Sequence, residues 1–355
     1  MIFSCYFHLL LNIFSNGISA IRLNNVTGRI EKMMNDKTFD IAIPVYRPDE
    51  KFDRLVKRIL KQEALPKKLI LMNTECEACT ATALRERVDG IMDAVGEYSV
   101  EVEVIPVKKE EFDHGGTRHL ATCHSKSDYL LFMTQDAVPC NRELTEELLE
   151  AFEEVKAPKL AVVYGRQLAA KHATETERIT RSFNYPKESR IKTAADIETL
   201  GIKTFFCSDV CAMYDLRLYR MLGGFERKTI FNEDMLYAAK AIDAGYAVYY
   251  CAEAKVIHSH SYSYEAEFKR NFDLAVSQKQ HPEVFAYVSS EKEGVRFVLD
   301  TVKRLAEKGL FFEIVDFGIR TVAKYAGYLL GKNYEKIPMQ YREKFSMNKG
   351  YWTKK

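Results

Sequence analysis

The feature that most constrains the fold is the alternation of short apolar runs with helical patterns between residues 40 and 134. Helical patterns follow Asp49, cover Ala81–Val95 and lie near Thr117. Strands that alternate with helices in this order predict a parallel sheet covered by helices on both faces. The predicted strands are Asp40–Tyr46, Lys68–Asn73, Ser99–Val107 and Tyr129–Thr134.

The pattern becomes mixed after residue 134. We predict strands at Leu160–Tyr164, Phe205–Ala212 and Ala247–Cys251, a polar loop region up to about Ile202, and a helix at Met235–Ala244. After Ser263 the chain is predicted to be helical. We therefore expect three parts: an N-terminal extension over residues 1–37, an α/β domain with a mixed central sheet over residues 38–265, and a helical, basic region over residues 266–355.

Charge and cysteine content exclude several classes of protein. The 355 residues include 52 basic and 50 acidic ones, and this near balance argues against a nucleic-acid partner. The eight cysteines are scattered, which is typical of a protein in a reducing cytoplasm. Cys76 and Cys79 form a lone C-x-x-C, without the second pair that a structural zinc site needs.

The start of the chain has an unusual composition. Met1–Phe14 is apolar but too short to span a bilayer, and no Lys or Arg precedes it as in a secretory signal. Met33 and Met34 stand immediately before the globular pattern. Our hypothesis is that the first 32 residues lie upstream of the true translation start.

Acidic and imidazole side chains recur at predicted strand ends and at a helix start. Asn232-Glu233-Asp234 opens a predicted helix, and His258-Ser259-His260 lies downstream. Asp136 comes directly after a predicted strand. Because ligands of such sheets bind beyond the carboxyl ends of the strands, these groups indicate a metal-assisted group-transfer site, and they point toward sugar transfer from a nucleotide donor.

Several motifs in this order make the chain resemble the family 2 glycosyltransferases, which have a GT-A (Rossmann-like) fold, and within them the bacterial rhamnosyltransferase-like branch. The resemblance runs from about Asp40 to Trp352. It rests on Ile43-Pro44-Val45-Tyr46, Phe112-Asp113-His114-Gly115-Gly116-Thr117-Arg118, Thr134-Gln135-Asp136-Ala137, Tyr164-Gly165-Arg166-Gln167, Phe183-Asn184-Tyr185-Pro186, Gly223-Gly224-Phe225, Asn232-Glu233-Asp234-Met235 and His258-Ser259-His260-Ser261-Tyr262.

The resemblance implies a divalent metal, Mg²⁺ or Mn²⁺. It makes Asp136 the surviving acid of an Asp-x-Asp motif in which Thr134 replaces the first member. His258 is the expected distant ligand, with His260 in reserve, and imidazole ligands allow Mn²⁺ as well as Mg²⁺. The alternative for Asp136 is a turn-capping acid, and for the histidines a structural role.

The resemblance assigns the general base to Asp234, and Glu233 would orient it or hold the acceptor. An acceptor hydroxyl loses its proton as it attacks the anomeric carbon, and a positioned carboxylate is the simplest base. One base without a second, nucleophilic carboxylate fits a single displacement with inversion. The alternative is that both acids only stabilise the start of their helix through its dipole.

The nucleotide sugar is expected to contact residues near the ends of the first strands. Pro44, Tyr46 and Asn73 would face the base, although the family usually has Asp where this chain has Asn73. Glycines before a helix let backbone amides approach phosphate, unless they only form a turn. The expected donor contacts are Pro44, Tyr46, Asn73, Gly116, Arg118, Gln135 and Arg270. Arg166, Gln167 and Asp209 either line the acceptor pocket or are ordinary polar loop residues.

The segment Phe311–Leu330 is apolar, and the chain then becomes basic and aromatic. Glu313 and Asp316 within it argue against a helix that spans a membrane. Two alternatives remain: the segment lies on an anionic membrane surface, or it packs on the catalytic domain. The first would place a cytoplasmic protein at the inner face of the plasma membrane.

These expectations combine into one function. The chain is expected to be an inverting glycosyltransferase that transfers a deoxyhexose, L-rhamnose from dTDP-β-L-rhamnose, to a surface polysaccharide or a lipid-linked glycan. The sugar is implied by the resemblance alone. The alternatives are a transferase of the same fold that uses UDP-glucose or UDP-galactose, and a non-catalytic nucleotide-sugar-binding protein.

Overall fold

The computed structural model describes residues 37–96, 99–260, 262–286 and 291–353. The hypothesis about the first 32 residues, and nearly all of the expected N-terminal extension, lie outside these residues. The boundaries at residues 38 and 265 stay predictions.

The described strands form one mixed nine-stranded sheet with the order β3-β2-β1-β4-β8-β6-β9-β5, and β7 pairs with β9. The strands β1 to β4 are parallel to their neighbours among themselves, and β8 runs antiparallel to β4 and β6. The strands are β1 Phe39–Val45, β2 Lys68–Thr74, β3 Glu101–Val107, β4 Tyr129–Met133, β5 Val138–Pro139, β6 Leu160–Leu168, β7 Arg190–Lys192, β8 Cys211–Asp215 and β9 Ala247–Ile257.

The helices connect these strands, and a run of helices then begins at Tyr264. Short 3-10 helices cover Ala194–Asp196, Gly201–Phe205 and Tyr334–Lys336. The α-helices are α1 Glu50–Ile59, α2 Ala81–Val95, α3 His114–Cys123, α4 Leu144–Glu154, α5 Glu175–Asn184, α6 Ile197–Leu200, α7 Leu216–Met221, α8 Glu233–Asp243, α9 Tyr264–Gln280, α10 Pro282–Phe285, α11 Glu291–Glu307, α12 Phe311–Lys332, α13 Met339–Phe345 and α14 Lys349–Thr353.

The first half of the domain follows the sequence pattern closely. β1 and β4 are buried almost throughout, as their continuous apolar runs predict for strands that are covered on both faces. Asp49 caps α1 by accepting hydrogen bonds from the amides of Lys51 and Phe52. The expected α/β fold with a mixed central sheet and a helical C-terminal region is confirmed.

Two expectations between residues 165 and 215 are wrong. Of the predicted strand Phe205–Ala212, only Cys211 and Ala212 lie in a strand: a 3-10 helix ends at Phe205, and β8 begins at Cys211. Phe205 packs into the hydrophobic core although it does not belong to the sheet, so an apolar residue here did not indicate a strand. The expected polar loop contains α5, whose only buried residue is Ile179, so a helix that buries so little leaves almost no apolar periodicity.

An aromatic cluster packs β8 against the helices α7 and α8. Tyr214, Tyr219, Phe225 and Tyr237 are buried and contact one another, with ring centroids between 5.1 and 6.0 Å apart. The amide of Phe225 donates to the Tyr219 hydroxyl. The cluster fixes α8, which carries the predicted catalytic acids at its start.

The C-terminal region packs chiefly through α9 and α12. A side chain at Gly327 would collide with the carbonyl of Phe268, and one at Gly331 with that of Phe272. The two glycines therefore let the helices approach closely. Of the helices that the structure describes, none is both long enough and apolar enough to cross a membrane.

Candidate active site

The loops after β1 and β4 are held together at the carboxyl edge of the sheet. The amide of Tyr46 donates to Gln135 Oε1 at 2.8 Å, and Gln135 Nε2 donates back to the Tyr46 carbonyl at 3.0 Å. The Tyr46 ring is exposed, with Arg47 and Lys109 5.3 and 6.0 Å from its centroid. Gln135 therefore positions the backbone of Tyr46. The Tyr46 ring presents an aromatic face close to the positive charges of Arg47 and Lys109.

Asp136, His258 and His260 converge directly beyond β4 and β9. The two Nε2 atoms are 2.6 Å apart and lie 3.5 and 3.4 Å from the Asp136 carboxylate oxygens. All three groups offer a ligand atom within 4.8 Å of one another. One carboxylate oxygen with two imidazole nitrogens is a donor set that suits Mn²⁺ and other first-row metals better than Mg²⁺, which prefers oxygen alone.

The electrostatics of this trio favour the protonation states that bind cations. Burial lowers the pKa of His258, and burial together with His258 lowers the pKa of His260 to about 4. Burial acts to raise the pKa of Asp136, but the interactions with both imidazoles outweigh it and the net shift is downward. Near neutral pH the site therefore offers one carboxylate and two neutral imidazoles, as metal ligation requires.

Gln167, which is buried on β6, orients the His258 ring through a hydrogen bond. Its Oε1 lies 2.8 Å from His258 Nδ1 and also accepts from Arg181. Its Nε2 donates to Ser208 Oγ at 2.9 Å. The acceptor on Nδ1 fixes the tautomer, so that the lone pair on His258 Nε2 points toward Asp136.

Asp234 lies at the mouth of α8, where the chain turns sharply. Asn232 has a left-handed backbone, with φ at 67°, which Asn tolerates better than most residues, and its side-chain Nδ2 donates to Ser277 Oγ. The Asp234 carboxylate accepts from the amide of Met235 at 2.7 Å and from the amide of Asp209 at 3.2 Å. It is partly exposed, while Glu233 beside it is buried.

Arg118 forms ion pairs with two further acids, Glu233 and Asp209. Its guanidinium donates to Glu233 at 2.9 Å and lies 3.3 Å from Asp209. Burial raises the pKa of Asp209 to about 7, against the opposing charge of Arg118. Burial, with the charges of Glu233 and Asp209, raises the pKa of Asp234 well above its usual value. Three carboxyl groups around one buried cation thus give the partly exposed Asp234 a high proton affinity.

The trio and the carboxyl cluster belong to one connected arrangement. Gln167 contacts His258 on one side and Ser208 on the other. Ser208 directly precedes Asp209, whose amide binds Asp234. The structure therefore brings together the predicted metal ligands and the predicted base around neighbouring loops.

Arg118 and Asp209 occupy positions that differ from those expected. Arg118 was expected to contact the donor, but it is buried between two carboxylates, because three acids need a cation there. Asp209 was considered either for the acceptor pocket or as an ordinary polar loop residue; it is buried, and its carboxylate accepts from the Tyr214 hydroxyl at 2.6 Å. Both residues support Asp234 and do not line an open pocket.

Gly116, Asn73 and Arg166 are each engaged in hydrogen bonds within the protein. The Gly116 amide donates to the capping carboxylate of Asp113 at 2.6 Å, so it is engaged within the loop. Asn73 is fully buried and bonds to the Cys79 carbonyl, which weighs against a contact with a base. Arg166 lies next to Gln167 on a strand, so its side chain takes the opposite face and donates to the Tyr185 carbonyl.

Two cations flank the trio. The positive charges of Arg181 and Arg270 both contribute to the lowered pKa of His258. Arg270 stacks on Phe231 at 4.8 Å, and the described residues give its guanidinium no carboxylate partner.

No sequence motif marks Arg181, because it lies on α5, the helix that the apolar pattern does not reveal. The alternation along β6 was the available signal for separating Gln167 from Arg166.

Comparison with known proteins gives the family. The sequence model described as glycosyl transferase family 2 matches residues 40–223. The chain is 35% identical to the O-antigen chain rhamnosyltransferase RfbN of Salmonella typhimurium over 88% of its own length and 95% of that protein's. The chain belongs to glycosyl transferase family 2. This glycosyltransferase is also 40% identical to the O-antigen chain rhamnosyltransferase WbaN of Salmonella anatum, over 70% of its length and 79% of that protein's.

A solved structure agrees with the fold of this glycosyltransferase. The mannosyltransferase PcManGT of Pyrobaculum calidifontis, determined with GDP-Man and Mn²⁺, superimposes with a TM-score of 0.55. The match covers 85% of this chain and 87% of that chain at 12% identity. The predicted family and its fold are thereby confirmed.

Proposed function

We propose that this glycosyltransferase moves L-rhamnose from dTDP-β-L-rhamnose, with inversion, to a growing surface polysaccharide or a lipid-linked glycan. The observation that carries the proposal is the 35 to 40% identity to two O-antigen chain rhamnosyltransferases over most of the chain. The site supports it, because Asp234 supplies a base, Asp136, His258 and His260 supply a cation site, and Gln167 and the Ser208–Asp209 loop connect the two.

In this proposal Asp234 removes the proton of the acceptor hydroxyl. The new bond joins the acceptor oxygen to the anomeric carbon, and the bond from that carbon to the diphosphate oxygen breaks with its electron pair. The raised pKa of Asp234 makes it a stronger base than an ordinary carboxylate. Glu233, Arg118 and Asp209 hold it in place, with Glu233 as the orienting residue.

Asp136, His258 and His260 would hold a divalent cation, for which their donor set favours Mn²⁺. A bound cation would neutralise negative charge on the diphosphate leaving group. Arg270 would contribute a second positive charge, since its guanidinium is not engaged by a carboxylate among the described residues. Tyr46 would stack on the base, with Pro44 at the end of β1 beside it.

A panel of donors tests the sugar assignment. With Mn²⁺ present, we expect dTDP-β-L-rhamnose to be turned over at least tenfold faster than UDP-glucose or UDP-galactose. Nucleotide release measured by chromatography gives the rates, and boiled enzyme is the control. Faster turnover of a UDP-hexose would replace the rhamnosyl assignment, and binding without turnover of any donor would favour a non-catalytic binding protein.

Replacing Gln167 with Leu tests how the cation site is oriented. The change removes the hydrogen-bond acceptor of His258 Nδ1, so we expect the affinity for Mn²⁺ to fall about 10- to 100-fold. Gln167→Glu keeps the acceptor and should retain more of the affinity. Calorimetric titration with Mn²⁺ measures both, and equal losses in the two variants would contradict this role of Gln167.

A further inference from the structure

The long helix α12 directs four of its five charged side chains toward neighbouring elements of the protein. Glu313 accepts hydrogen bonds from the amide and the hydroxyl of Thr176, at 3.0 and 3.1 Å. Arg320 and Lys324 lie 3.9 and 3.5 Å from Glu267 of α9. Charged groups on a surface helix usually face water, so this helix has the reverse distribution.

The face of α12 that points away from the protein is apolar. Phe312 is 94% exposed and Val322 70%. At 100° per residue, the exposed residues fall within an arc of about 140°, and none of the charged residues of α12, which is described throughout, falls inside it. We call this surface the apolar arc; it consists of Phe311, Phe312, Val315, Ile319, Val322, Tyr325, Leu329 and Leu330.

The exposure of the apolar arc is fixed by close packing on the opposite side. Gly327 and Gly331 face α9, where any side chain would meet the carbonyls of Phe268 and Phe272. The helix cannot roll by half a turn without moving larger residues and charges into that contact. Its apolar face is therefore held outward by the fold.

We propose that the apolar arc docks flat on an anionic lipid bilayer. From Phe312 to Leu330 it is about 27 Å long and roughly one helix, about 10 Å, wide. This footprint of about 270 Å² is well below the ~800 Å² that each partner of a stable protein complex typically buries. A bilayer requires no matching shape, and an apolar helix face lies readily at its interface.

The positive charge of the C-terminal residues favours an anionic bilayer. Without Arg320 and Lys324, which lie near Glu267, residues 325–355 contain seven Lys or Arg and two Glu. Each basic residue close to an anionic surface strengthens binding roughly fivefold. In this proposal the apolar arc inserts into the bilayer, and the basic residues that follow α12 in the sequence attract the anionic surface. The proposal rests on the proposed function in one respect, since a lipid-linked acceptor would lie at such a surface.

Flotation of the full chain with vesicles tests the proposal without donor or acceptor, so it stands apart from any failure of the sugar assignment. The vesicles contain phosphatidylcholine with or without phosphatidylglycerol. We expect the wild type to float with the anionic vesicles and less so in high salt. The double variant Phe312→Ser/Val322→Ser should bind about a hundredfold more weakly, roughly tenfold for each half-inserted side chain. Met221→Ser, an exposed apolar residue outside the arc, is the matched control and should bind like the wild type.

The other outcomes overturn the proposal. These are a wild type that stays at the bottom of the gradient with both vesicles, or a double variant that floats like the wild type. A wild-type dimer that the double variant converts to a monomer, without vesicle binding by either, would assign the arc to a contact between copies. Circular dichroism checks that the double variant is folded, as the exposure of both residues leads us to expect.

Discussion

Replacing Asp234 with Asn is expected to lower kcat by about 10²- to 10⁴-fold, the contribution that a positioned base makes. Asn keeps the shape of the side chain, but its single oxygen can accept only one of the two amide hydrogen bonds, from Met235 or from Asp209, and it cannot take a proton. Nucleotide affinity, measured by calorimetry, should remain within a few fold of the wild type. The wild-type kcat/KM should fall as the pH drops through the raised pKa of Asp234, above the range of an ordinary carboxyl.

The matched control for this substitution is Asp243→Asn. Asp243 is an exposed carboxylate at the other end of the same helix, so its removal should leave kcat unchanged. If Asp234→Asn retained more than about a tenth of the wild-type kcat, the base would have to be another group.

Replacing Arg118 with Leu is expected to lower the free energy of unfolding by about 3 to 5 kcal/mol, because it leaves Glu233 and Asp209 buried without a cation. Denaturant unfolding followed by circular dichroism measures the loss. Adding Glu233→Gln to this variant removes one of the two stranded charges and should restore part of the stability.

Arg118→Lys serves as the control, since it keeps the charge but loses the planar guanidinium that reaches both acids. It should be destabilised less than Arg118→Leu. If Arg118→Leu unfolded like the wild type but bound nucleotide much more weakly, the result would contradict the structural role. It would indicate instead that Arg118 contacts the donor, as the sequence suggested.

The sequence predicted the first half of the fold because its strands are continuous apolar runs and its helices have clear apolar faces. Ala81–Val95 was placed with the observed bounds, and β1, β2 and β4 within one residue at each end. The convergence of Asp136, His258 and His260 was expected because each follows the end of a strand. β4 and β9 are not neighbours, but they run in the same direction, so their carboxyl ends lie at one edge of the sheet, where β5 pairs with the end of β9.

Burial and partner choice could not be predicted in the same way. Arg118 and Asp209 carry charges that are typical of ligand contacts, and only the three-dimensional structure pairs them with each other. Gln167 has the same polarity as a surface residue, yet it lies behind His258. The apolar arc was visible as hydrophobic sequence, but whether it packs inward depends on Gly327 and Gly331, which turn the opposite face toward α9.

The most direct test of the proposed single displacement is the configuration of the sugar that the enzyme first releases. With dTDP-β-L-rhamnose, Mn²⁺ and water in place of the acceptor, NMR spectra recorded before mutarotation distinguish the two anomers. We predict α-L-rhamnose as the initial product, because Asp234 activates the attacking hydroxyl and no second carboxylate bonds to the sugar. Initial release of β-L-rhamnose would mean retention of configuration and would contradict Asp234 as the base of a direct displacement.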